Sequence, residues 1–152
     1  MNAKIINLKV LKNASMVSPN MRHSSLEIWE KKLKNILDEL DDYLEEKYGG
    51  QYRLHPVRPG RGQTSSKSQD GLFDIVASFS LGAGSDYGKG YIVDVDMATL
   101  EHVPEKIRRE IEDITLKKLR EKLPEYFPGK NLKVNKDGNV IKIHGDLSLG
   151  IL

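Results

Sequence analysis

Apolar residues recur along this chain with two periods, and the changes from one period to the other mark out its elements. From Lys4 to Leu11, Ile6, Leu8 and Val10 fall on one side and Asn7 and Lys9 on the other, the period-2 pattern of a half-buried strand. Lys12 to His23 is rich in Asn, Ser and Met and contains Pro19, so it reads as a connecting loop. Ser24-Ser25-Leu26-Glu27 has the form of a capping box that starts a helix. Leu26, Trp29, Leu33, Ile36, Leu37, Leu40 and Leu44 then recur every three or four residues as one apolar stripe, until Gly49-Gly50 supplies a stop. Its basic residues come early and its acidic ones late, against the helix dipole, and they read as a solvated outer face.

Gln51 to Val57 reads as a short strand. Arg58 to Gln69 is a Gly, Pro and Ser-rich loop whose composition supports no regular structure and predicts mobility. Leu72 to Ser80 alternates, with Phe73, Ile75, Ala77 and Phe79 against Asp74, Val76 and Ser78. Tyr91 to Met97 alternates again, with Tyr91, Val93, Val95 and Met97 against Ile92, Asp94 and Asp96. The two predict an antiparallel hairpin with odd-numbered residues facing the core. Pro104 opens a second helix whose buried face is Val103, Ile107, Ile111, Ile114, Leu119 and Leu123, with Pro124 and Pro128-Gly129 as the stop. Asp137-Gly138 between two short apolar runs predicts a final hairpin with a type I′ turn. The expected architecture is α+β, two amphipathic helices packed on one mostly antiparallel sheet, in a single domain over residues 1–152 with a basic loop at 58–70.

Composition removes several function classes. At 152 residues there is room for one core. With 24 Lys+Arg against 22 Asp+Glu the net charge is only +2, so local clusters have to decide what the surface attracts. The chain has no cysteine, which rules out disulfides and thiolate metal sites, and its four histidines lack helical metal-ligand spacing, so no zinc is expected. Met1 to Leu11 is not a signal peptide and no run is long enough to span a membrane, so a soluble, cytoplasmic protein is expected.

Candidate chemistry begins with Asp74, Asp94 and Asp96, which share the even-numbered face. A register pairing 74 with 96 sets 76 opposite 94 and gathers the carboxylates in one patch, the hard-oxygen setting that Mg²⁺ prefers. The even face of an antiparallel sheet is also often simply wet. At these residues the element order resembles the PD-(D/E)XK nuclease superfamily, over roughly residues 24 to 144. Phe73-Asp74-Ile75-Val76 looks like its aspartate strand, and Tyr91-Ile92-Val93-Asp94-Val95-Asp96 like its acid-x-lysine strand. The resemblance implies a Mg²⁺-dependent phosphodiester-acting domain, with Asp74 and Asp94 as metal ligands and Asp96 as a third acid. The family's proline is Phe73 here and the motif lysine is Asp96, which points to a degenerate site unless Lys89 or Lys106 substitutes. Gly84-Ser85 followed by Asp94-Val95-Asp96 is also similar to the polymerase-β-like nucleotidyltransferases.

The second candidate is the segment from Gln51 to Gln69, which carries Arg53, Arg58, Arg61 and Lys67 with His55 and no acid before Asp70. Arginines among Gly and Ser suit a nucleic-acid backbone or another phosphate-bearing ligand. The same residues could equally neutralise the acidic end of the first helix. Gly82 to Gly90 is glycine-rich but lacks the Gly-Lys-Ser/Thr order of a P-loop, and reads as a hairpin loop. Three functions stand: a nuclease-like Mg²⁺-dependent domain, a non-catalytic module binding nucleic acid or a protein, and a small nucleotidyltransferase-like domain.

Overall fold

The computed structural model describes residues 20–147, with side chains from Ser24 onward. The strand expected at Lys4–Leu11 lies outside the described residues. Within them run helix α1 (Asn20–Tyr48), a single 3₁₀ turn (Lys67–Gln69), strands β1 (Phe73–Ser80) and β2 (Gly90–Met97), helix α2 (Glu105–Tyr126), and strands β3 (Leu132–Asp137) and β4 (Val140–Gly145). The strands form one antiparallel sheet in the order β1-β2-β4-β3. The fold is α+β, two helices packed on a four-stranded antiparallel sheet.

Every residue of the first apolar stripe is buried, because a period of three and four residues puts all seven on one helical face. Their counterparts on the sheet are Phe73, Ile75, Ala77, Tyr91, Val93, Val134, Ile141 and Ile143, which share one side, and the two helices lie on that side around a common core. Trp29 sits at its centre, its ring 4.3 Å from Phe127 and 5.6 Å from Tyr91, centroid to centroid. From α2, Ile111, Leu119 and Leu123 are buried as the pattern predicts, and Thr115 joins them with its hydroxyl donating to Ile111 O at 2.8 Å.

Four local expectations are corrected. Helix α1 begins at Asn20, so Ser24 and Ser25 lie inside it and do not cap it. Pro124 lies inside α2, which runs on to Tyr126; so near the helix end one missing amide is tolerated. Residues 51–57 form no strand, because their sheet-like contacts are isolated ones, His55 N–H to Ala98 O and Arg53 O to the Thr99 hydroxyl. In the final hairpin Gly138 has φ +65° while Asn139 is not left-handed, the signs of a type II′ turn and not type I′.

Candidate functional site

The register of β1 and β2 is the one the alternation implies. Asp74 lies directly across from Asp96, and Asp94 across from Val76, all on the face turned away from the helices. Asp96 is exposed and Asp74 and Asp94 are half-buried. Two carboxylates therefore face each other with the third one pair along. Among the described residues, however, no group of three or more His, Asp or Glu side chains is placed to hold a metal ion. Lys106 belongs to α2, which packs on the other face of the sheet. Gly84-Ser85 opens no helix, since 81–89 is irregular.

The basic loop is turned inward. Arg58 donates through Nε to Gly71 O at 2.9 Å and through Nη2 to the carbonyls of Ser68, Asp70 and Phe73 at 2.9, 3.1 and 2.8 Å. One guanidinium thus organises the backbone that a Gly and Ser-rich segment could not organise by itself. Arg61 lies 2.8 Å from Asp41, 2.7 Å from Asp42 and 3.4 Å from Asp70, and Lys67 pairs with Asp42 as well. The donors of these three residues are directed at the chain's own carbonyls and at the acidic end of α1. Arg53 is exposed.

The acids respond to this packing. Burial pushes the Asp41 carboxyl up to about 7, with Arg61 opposing and Glu45 reinforcing the rise. For Asp42, burial works upward but Lys67 and Arg61 overcome it and hold the group below its ordinary value. Asp70 is likewise held low against burial, by hydrogen bonds from the Thr64 amide and hydroxyl at 3.0 and 2.9 Å and by Arg61. Glu45 accepts from the amides of Leu72 at 2.8 Å and Phe73 at 3.3 Å, closing the start of β1's outer edge.

A second polar cluster had no signal in the sequence. On the face away from the helices, Lys142 is buried to 1% exposure, and its ammonium donates to the Ser85 hydroxyl at 2.7 Å and to Gly88 O, with Asp137 at 3.8 Å. Ser85 in turn bonds Asp137. Tyr87 stacks on the buried His144, centroids 4.5 Å apart, and His144 Nε2 meets Asn135 Oδ1 at 2.8 Å. Burial, followed by the charges of Lys133 and Lys142, holds the imidazole below its usual range. The glycine-rich loop is therefore latched across the sheet. Lysine at a period-2 position reads as solvent-facing until a loop is known to cover it.

A polar cleft of about 510 Å³ opens where β2 outruns β4. Pairing between these strands covers only Tyr91, Ile92 and Val93. Beyond Val93 the cleft has an apolar floor that includes Val95, Met97 and Ile111, and a rim with Asp94, Asp96, Glu101, Glu105 and Glu112 against Arg108. Lys136 reaches Glu112 at 2.9 Å, so the balance of the rim remains negative. Such a surface attracts cations and repels a phosphate backbone.

Helices, sheet and cleft together define a small α+β domain with an acidic groove beside a strand edge. A family model described as "Uncharacterised protein" matches residues 24–145, from α1 to the end of β4, and the chain belongs to that family. It is similar to an uncharacterized protein of Borreliella burgdorferi, 37% identical over 125 residues, which is 82% of this chain and 98% of the relative. No solved structure matches it. No helix among the described residues is long and apolar enough to cross a membrane.

Proposed function

We propose that this domain is a non-catalytic protein-binding module whose acidic cleft receives a basic segment of a partner. The observation that supports this most directly is the rim itself, five carboxylates against Arg108 and the Lys136 that reaches Glu112, around a partly apolar floor. The inward use of Arg58, Arg61 and Lys67 supports it too, because these donors already have partners within the chain. A nucleic-acid backbone brought to the cleft would meet like charge.

Fluorescence anisotropy with a labelled peptide of alternating Lys and Val, a scrambled neutral peptide, and single- and double-stranded DNA tests the reading. The basic peptide should bind, weaken with salt, and lose affinity at least several-fold in a Glu105→Gln, Glu112→Gln double variant. Binding of DNA in preference to the peptide, or Mg²⁺-dependent cleavage of the DNA, would overturn the proposal in favour of the nuclease-like reading.

A further inference from the structure

The backbone of β2 indicates how a partner segment enters the cleft. Ala98, just after β2, donates its N–H to Leu72 O at 2.7 Å, and Leu72 lies just before β1. Hydrogen bonding in an antiparallel ladder alternates from residue to residue, so the backbone groups of Asp96 and Asp94 also turn toward β1. Those of Val95 and Met97 then turn to the opposite edge. The same parity accounts for Phe73, directly across from Met97, whose N–H and C=O turn outward to Glu45 and Arg58.

On the cleft side, β4 pairs with β2 only as far as Val93, and among the described residues no strand continues the ladder. Met97 O accepts from Thr99 N at 3.0 Å. The N–H and C=O of Val95 and the N–H of Met97 are left facing the cleft. Edge groups of this kind are the ordinary template for strand addition.

We propose that an extended segment of a partner protein, with alternating basic and apolar residues, adds to the sheet as a strand along the Val95–Met97 edge of β2. Its apolar side chains would lie on the helix side, against the half-buried Val95 and Met97 and the buried Ile111. Its basic side chains would lie on the other side, next to the exposed Asp96, where directly opposed cross-strand pairs sit about 4.5–5.5 Å apart at Cβ. Both halves of the alternation are therefore specified by the groove, the apolar half by its floor and the basic half by its rim. This rests on the reading of the cleft as a protein-binding site and adds the mode of binding.

The test uses the full chain and the alternating Lys-Val peptide in two backbone-methylated forms, one N-methylated at every Lys and the other at every Val. In an added strand one set of amides points to β2 and the other to solvent. One methylated form should therefore lose at least ten-fold in affinity while the other stays within about two-fold, and the Val95 and Met97 amides should gain hydrogen-exchange protection on binding. Equal effects of the two forms, or peptide binding with no added protection at Val95, would overturn strand addition while leaving the cleft as a binding site. Absence of any peptide binding overturns both readings.

Discussion

Arg61 lies 2.8 Å from the carboxylate of Asp41, and this contact fastens a loop of glycine, serine and proline back onto a helix that ended at Tyr48. Asp41 is 1% exposed, a buried acid in the polar half of a surface helix. The loop is thus an ordered part of the domain. Removing Arg61 should leave that carboxylate buried without its cation.

Arg61→Ala is expected to destabilise the fold by roughly 2–3 kcal/mol, toward the lower end for a broken ion pair because the guanidinium is partly solvated. Arg58→Ala should cost about as much, since four carbonyls lose a donor at once. Urea unfolding at pH 7 measures both. Losses below about 0.5 kcal/mol would show that these arginines are free to face an outside anion.

Asp41 also sets a pH dependence. Its folded value near 7 lies above the ordinary value of 3.8, so between the two the folded protein holds a proton that the unfolded chain has released. Its contribution to stability is complete below about pH 4 and is lost as pH rises to about 7. His144, held low, contributes in the opposite sense, with stability lost as pH falls below the usual imidazole range. The difference between wild type and Asp41→Asn isolates the carboxyl: the variant should gain on the wild type from pH 4 to pH 7 and hold a constant margin above it. A flat difference across that range would rule out a raised Asp41.

Lys142→Met should release the glycine-rich loop without unfolding the sheet. Amide exchange across 82–88 should accelerate at least ten-fold, because the contacts to Ser85 and Gly88 are gone, while exchange in 58–70 stays unchanged. Equal acceleration in both loops would mean the substitution acts globally.

The facing carboxylates of Asp74 and Asp96 predict that Asp96→Asn is neutral or stabilising by about 0.5 kcal/mol, as for any like-charged pair directly opposed across strands. Calorimetry with and without Mg²⁺ at fixed ionic strength checks it. A Mg²⁺-dependent rise in melting temperature, abolished by Asp74→Asn, would return the aspartates to a metal-binding role.

Helix α1, the β1 and β2 hairpin and its register were legible in the order of residues, because each follows from a period of 3.6 or 2 acting over a few neighbours. Leu26 to Leu44 are buried as their spacing requires, and Asp74 meets Asp96 once odd-numbered residues face the core. Arg58 and Lys142 were not legible. Arg58 finds carbonyls 10 to 15 residues away, and Lys142 finds Ser85 57 positions away. The cleft was hidden for the same reason, since it depends on where the pairing of β4 with β2 ends, a relation between segments separated in sequence by α2 and β3. Local periodicity acts through adjacent bonds and can be read along the chain. The partner of a long polar side chain is chosen by whichever distant backbone the folded core brings beside it, and only the tertiary structure decides that.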